Sequence, residues 1–520
     1  MDNFSASQRI TKPAVQSRYG IVAAQHRRAA EVGAAILARG GDAVDAVVAT
    51  SFALGVLEPW MSGIGGGGAM VLYRAVENRY QVIDFGMRAP ASLRIADYRL
   101  SGEGVSSDLF PWARVQDDRN VHGPLAIAVP GVVDGMRVAH ERYARLPWRE
   151  LVEPAITLAD AGLLIDWFAV ENIASAAVDL NRYSASRDAF LLNGVPPTPA
   201  WSARIDVRLP QQRLAQTLRR LADAGPRDFY EGELARTLAR EIGQAGGALG
   251  AQDLASYAAR PLEPLTIEYR GARVAATPEL TAGPTLAYAL RLLSQRLPPG
   301  VEPDAQAYIA YAECLQEAYA YRLTRMGDVE GGRAPGCTSH FCVVDSQGNI
   351  AAVTQTLLSI FGSRFTLPES GILMNNGIMW FDPEPGRPNS LAPGKRCLTN
   401  YCPIIVERAD VRFGVGASGG RRILPAVTQL LSFLSDYGHG LNEAFHRPRI
   451  DASEGDLVIG DALLDEAVQQ ALSARFPYVR MRRQTLPFKF ACPSGVLRSG
   501  ALNFGATEIA SPWADAVAEN

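Results

Sequence analysis

Ser418 lies in Gly416-Ala-Ser418-Gly-Gly420, which satisfies the Gly-x-Ser-x-Gly spacing of a hydrolase nucleophile turn. Such a serine needs an acid and then a histidine after it in the chain, and His439 and His446 do follow. Gly63-Ile-Gly65-Gly-Gly-Gly68 satisfies the spacing of a dinucleotide fingerprint, which must leave a strand and enter a helix. Here a helical run precedes and a strand-like run follows, so the glycines read as a tight backbone turn without a cofactor. The histidines His26, His122, His140, His340, His439 and His446 form no HExxH or paired spacing, and no metal site is expected. The remaining cluster is Cys337-Thr338-Ser339-His340. Taken alone, Thr338 there reads as a β-branched residue opening a strand.

These residues need elements to hold them. A helix is expected from about Arg27 to Arg39, stopped by Gly40-Gly41, with Asp42 as N-cap of a second, all-round apolar helix from Ala43 to about Leu57. A strand over Ala69–Tyr73 follows the glycine run. Residues 148–330 read as mostly helical, because LVEPAITLADAG, LAQTLRRLADAG and ELARTLAREIGQAGG carry 3.6-residue apolar faces ending at glycine. From Ser339 the texture is β: SHFCVVD and IAAVTQTLL flank a Ser346-Gln-Gly348 turn, and CPIIVE and DVRFGVGA follow. A helical run, Ile423 to Tyr437, comes after Gly419-Gly420. Stacked sheets under helices, an α/β protein, are the expected architecture.

The chain has 520 residues, 48% of them hydrophobic and 20% charged, with a net charge of −3. That is the balance of a soluble enzyme, and it favours neither nucleic acid nor a membrane as partner. The longest apolar stretch, Ala46 to Leu57, is too short to span a bilayer. The N-terminus has no apolar signal-like region, and the six cysteines show no CxxC spacing, so a reduced, cytoplasmic protein is expected.

The segment Cys337-Thr338-Ser339-His340-Phe341 resembles the processing site of gamma-glutamyltranspeptidases, where a Thr-Thr-His-aromatic run opens a strand. The likeness continues in GGDAVDAVVATSFALGVLEPWMSGIGGGG (40–68), AVPGVVDG (128–135), FYEGELA (229–235), GGALGAQDLASY (246–257), ESGILMNN (369–376) and GASGGRR (416–422). The resemblance implies a four-layer αββα N-terminal-nucleophile fold, made as one precursor that cuts itself between Cys337 and Thr338. The large subunit would then be 20–337, behind a mobile arm at 1–19, and the small catalytic subunit 338–520. The substrate would be a small acyl amide and the acceptor water or an amine. Thr356 matches the family threonine that contacts the nucleophile, and Gly419 and Gly420 match the oxyanion pair. That role accounts for GASGG better than a serine nucleophile does.

The chemistry is self-consistent. A threonine hydroxyl is a weak nucleophile until a base takes its proton. An α-amino group titrates near pH 8, so a threonine freed at its N-terminus carries its own base.

The sequence also departs from the family. Gamma-glutamyl enzymes hold the substrate's α-ammonium with an Asn, an acid or amide, and an Asp, at positions matched here by Leu358, Gly377 and Trp380. The arginine for the α-carboxylate is replaced by Gly86, with Arg88 two residues on, and Arg88 and Arg364 are candidates for a substrate carboxylate. The family's serine pair becomes Thr399-Asn400, and the connection 382–396 is too short for a lid. The changes keep the catalytic residues and remove the ammonium clamp, which points to acyl groups without an α-amine, as in oxamate amidohydrolases and glutaryl-cephalosporin acylases. The expected activity is cleavage of a gamma-glutamyl-type or related small acyl amide, with glutathione hydrolysis included; an acylase or oxamate-type amidohydrolase without gamma-glutamyl activity, and an uncleaved non-catalytic binding protein, are the alternatives.

Overall fold

A computed structural model describes residues 7, 9–106, 112–298, 300–326, 337–484, 486 and 488–519, without the side chains of 323–325 and 337. Among these residues two seven-stranded antiparallel sheets lie face to face. One runs Asp515–Ala518, Ile21–Ala24, Cys337–Val344, Ile350–Leu358, Gly67–Arg74, Arg79–Phe85, Arg260–Leu262. The other runs Val15–Ser17, Leu502–Thr507, Cys492–Ser499, Val411–Ser418, Ile404–Arg408, Ala272–Ala276, Leu265–Tyr269.

Strand alternation sorts the side chains into layers. Ile21, Ala23, Val71, Cys342, Val344, Ile350 and Ala352 of the first sheet pack on Ala275, Ile405 and Val496 of the second. The intervening residues, among them Val22, Met70, Phe341, Val343, Ala351 and Val353, face the helices Arg27–Ala38 and Ala43–Leu57. Val274, Ile404, Val406, Phe413 and Val415 face the helices Gly283–Arg296, Ala305–Arg325 and Ile423–Ser435. The order is helix, sheet, sheet, helix.

The expected caps form. Asp42 Oδ1 accepts from the Val44 amide at 2.8 Å and Asp45 Oδ2 from the Asp42 amide at 2.8 Å, worth about 1 kcal/mol. Two expectations need correction. The stretch 148–330 also contains the strands Leu265–Tyr269 and Ala272–Ala276, the second paired with Ile404–Arg408. Within 1–19, Val15–Ser17 pairs with Asn503–Gly505, and the Lys12 ammonium donates to Ala514 O at 2.7 Å, so this part of the arm is docked. Residues 1–6 and 8 lie outside the described residues. The connection 382–396 is folded on itself, with Leu391 N donating to Asp382 O at 2.8 Å. No helix among the described residues is long and apolar enough to cross a membrane.

Candidate active site

Strand Cys337–Val344 pairs regularly with Ile350–Leu358 from Val344 back to Ser339, and then the register breaks. Ser339 faces Gln355 but Cys337 faces Leu358, so the single residue Thr338 meets two, Thr356 and Leu357. An extra residue on one strand bends it and re-aims its side chains. Leu358 absorbs the bend at φ +88°, a left-handed value that costs a residue with a Cβ about 1–2 kcal/mol. Thr338 is 5% exposed, and its Oγ1 donates to Thr356 Oγ1 at 3.3 Å. Thr356 Oγ1 also accepts from the Leu358 amide at 2.8 Å. The glycine run begins a strand rather than only making a turn. A Cβ on Gly66 would come 2.2 Å from Thr356 O, so only glycine allows this approach behind Thr356.

The second sheet brings the glycine pair to the same end of the sandwich. Gly414 packs on Ile350 and Ala352, the cross-strand partners of Val344 and Cys342. Gly416 lies on the His340 ring, where a Cβ would come 2.3 Å from Cε1. From Gly414 to Gly416 this strand thus runs toward the Thr338 end of its neighbour, and beyond Ser418 come Gly419 at φ +132° and Gly420 at φ +60°. The N–H groups of Gly419 and Gly420 have no acceptor among the described residues. They precede a short turn, 420–422, and the helix Ile423–Ser435, whose N-terminal dipole favours negative charge. Arg422 moors this turn through Glu454 at 2.6 Å and Phe488 O at 2.9 Å.

Ser418 Oγ is bound by the Gln25 amide, not by a histidine. His340 uses both ring nitrogens, on Thr354 Oγ1 at 2.9 Å and Cys342 Sγ at 3.2 Å, and burial pushes its pKa down to about 3. It is a neutral packing residue at working pH. His439 stands beside Glu443 and Glu302, and Arg447 already pairs with both carboxylates.

Leu358, Trp380, Met87, Cys397 and Tyr401 form one apolar cluster. Gly377 adjoins it: a Cβ there would meet Met87 Sδ at 2.8 Å and Ala128 Cβ at 2.7 Å, so a larger side chain has no room. Leu358, Gly377 and Trp380, three residues singled out in the sequence, are thus brought together as an apolar wall. Gly86 N donates to Asp84 Oδ1, and its cleft is lined by Arg260, Arg396 and Thr399. Arg88 gives its guanidinium to Ser256 Oγ at 2.6 Å, and Arg364 gives its own to Gly362 O at 2.8 Å. Thr399 is fixed on Leu280 O, and Asn400 Oδ1 accepts from Arg322 Nη2 at 3.3 Å. Arg322, Arg396 and Gln25 were invisible as site residues in the sequence, since each meets the site only through tertiary contact.

Glu58, at the end of the helix Ala43–Leu57, is 2% exposed. Burial, helped by the charge of Asp166, raises its pKa from the ordinary 4.5 to about 8. The folded state therefore holds a proton that the unfolded chain releases, and stability falls as pH rises from about 4.5 to about 8. Glu58→Gln keeps the neutral shape and should lack this fall, matching the parent near pH 4.5 and exceeding it by about 1–3 kcal/mol at pH 9. Denaturant midpoints measured across pH check this, and parallel profiles for the two proteins would contradict it.

Two stacked antiparallel sheets between helical layers are the architecture of N-terminal-nucleophile hydrolases. The cephalosporin acylase of Bacillus halodurans superposes with a TM-score of 0.86, covering 99% of both chains at 24% identity, and shows the shared fold. The gamma-glutamyltranspeptidase family profile matches residues 29–336 and 330–488. The Acylase ACY 1 proenzyme of Pseudomonas sp. (strain SE83) is 33% identical over 501 residues, 89% of this chain and 88% of the relative. The Glutathione hydrolase proenzyme of Bacillus subtilis (strain 168) is 30% identical, over 83% of this chain and 80% of the relative. The chain belongs to the gamma-glutamyltranspeptidase family, and its chemistry is of the amide-hydrolysing and acyl-transferring class.

Proposed function

We propose that the chain cuts itself between Cys337 and Thr338 and then uses Thr338 as the nucleophile of an amidohydrolase whose acyl group lacks an α-amine. The observation that carries the reading is the pairing of Thr338 with Thr356 at a register break, at the end of the sandwich toward which the strand leading to the two unaccepted glycine amides runs. In maturation, Thr338 Oγ attacks the Cys337 carbonyl carbon, the peptide C–N bond breaks, and the acyl group passes to oxygen. Water then opens the ester, leaving the Cys337 carboxylate and the Thr338 α-amine. In turnover the amine takes the hydroxyl proton as Oγ attacks the substrate amide. The Gly419 and Gly420 amides stabilise the oxyanion, and the ammonium returns the proton to the leaving amine. Water, or a second amine, resolves the Thr338 ester.

The apolar wall of Leu358, Met87 and Trp380 supports the absence of an α-ammonium in the acyl group, and a 33% identical relative bears the name acylase. An ammonium left without acceptors in a partly buried pocket loses roughly 2–4 kcal/mol, or about 30–1000-fold in kcat/KM. A glutaryl anilide should therefore be cleaved at least as well as the matching gamma-glutamyl anilide. Trp380→Asp should raise only the gamma-glutamyl rate, and so should Leu358→Asn, because asparagine tolerates the positive φ there. A parent enzyme that prefers the gamma-glutamyl compound tenfold would return glutathione hydrolysis to first place. Equal gains on both compounds would remove Leu358 and Trp380 from the α-amine position.

A further inference from the structure

Arg322 lies on the helix Ala305–Arg325 and is 5% exposed. Its guanidinium donates to four oxygens: Thr281 O at 2.9 Å, Thr285 Oγ1 at 3.1 Å, Thr399 O at 2.7 Å and Asn400 Oδ1 at 3.3 Å. All four are neutral, and no carboxylate pairs with Arg322 among the described residues. Burial, reinforced by the charge of Arg421, lowers its pKa to about 10, so it stays cationic at neutral pH. A buried cation without an anion is costly, and neutral acceptors offset only part of that cost.

The contact also fixes Asn400. A guanidinium has only donors, so the amide atom facing it must be Oδ1 and the Asn400 NH2 must point the other way. No acceptor among the described residues takes that NH2. Thr399, the adjoining residue, lines the cleft beside Gly86 and Arg396.

We infer that Arg322 is a positioning residue that selects acyl groups bearing a carboxylate, by locking the Asn400 NH2 toward the substrate and supplying the uncompensated positive charge that the carboxylate balances. The inference rests on the acyl-amide reading of the site, and it explains how an acid is held where the family's arginine is Gly86.

The test uses the full-length enzyme with Asn400→Asp, Arg322→Lys and Arg322→Met. Asn400→Asp keeps the Arg322 partner but sets a carboxylate where the NH2 stood. KM for a glutaryl anilide should rise about 30-fold or more with kcat little changed, while a valeryl anilide, which lacks the distal acid, is unaffected. Arg322→Lys, which keeps the charge without the fork, should fall between the parent and Arg322→Met. Equal losses on both anilides, or no change in Asn400→Asp, would overturn the inference. Glutarate binding by calorimetry separates this from the catalytic reading. If the parent binds glutarate and Asn400→Asp does not, the inference stands even should Thr338 prove not to be the nucleophile. If glutarate does not bind the parent, the inference fails.

Discussion

Thr338→Ala is expected to purify as one uncut chain with turnover lowered about 10⁴–10⁶-fold, the loss expected when a nucleophile is removed. A single hydroxyl is assigned both the cut and catalysis, so both should vanish together. Thr338 Oγ1 sits 3.3 Å from Thr356 Oγ1, and the Leu358 amide fixes Thr356 in turn. Ser418→Ala is the matching control. Its hydroxyl is bound by Gln25, and the variant should still be cut and keep most of its activity. Electrophoresis and steady-state rates on the two variants decide the matter. A cut Thr338→Ala chain, or an inactive Ser418→Ala, would transfer the nucleophile role away from Thr338.

Gly420→Val is expected to lower kcat about 10²–10³-fold while KM moves far less, as when one oxyanion donor is lost. Gly420 has φ +60° and Gly419 φ +132°, conformations that a β-branched side chain adopts only at a steric cost. The loop should therefore move, carrying its free N–H away from the carbonyl oxygen. Rates must be taken on protein that is folded and cut, so that a loss of folding or of maturation is not read as the loss of an oxyanion donor. An unchanged kcat in such protein would mean that the oxyanion is held elsewhere.

Much of this was legible in the sequence wherever the signal is local. Asp42 and the glycines at 40–41 marked helix ends through capping and backbone freedom. The β-branched residues of SHFCVVD and IAAVTQTLL, with the Ser346-Gln-Gly348 turn between them, marked a hairpin that forms as Cys337–Val344 and Ile350–Leu358. Part of what was missed is local: Ala272–Ala276 is alanine-rich and lies among helical patterns, yet it forms a hairpin with Leu265–Tyr269 across Arg270-Gly271, both at positive φ. Its other neighbour, Ile404–Arg408, and the features that follow depend on distant partners. The bulge at Thr356–Leu357 and the strained Leu358 cannot be read from residue types, since they arise from the register of two strands. Arg322 looks like an ordinary polar residue of a long helix, and only packing brings it to Asn400. Resemblance located Leu358, Gly377 and Trp380 as departures. Met87, the residue that fills the space at Gly377, came from the structure alone.

The most direct test is the intact mass of the unmodified protein under denaturing conditions, with no protease added. Two polypeptides are expected, the smaller starting at Thr338 and holding the 183 residues to Asn520. A single full-length chain that nonetheless hydrolyses an acyl amide would contradict this.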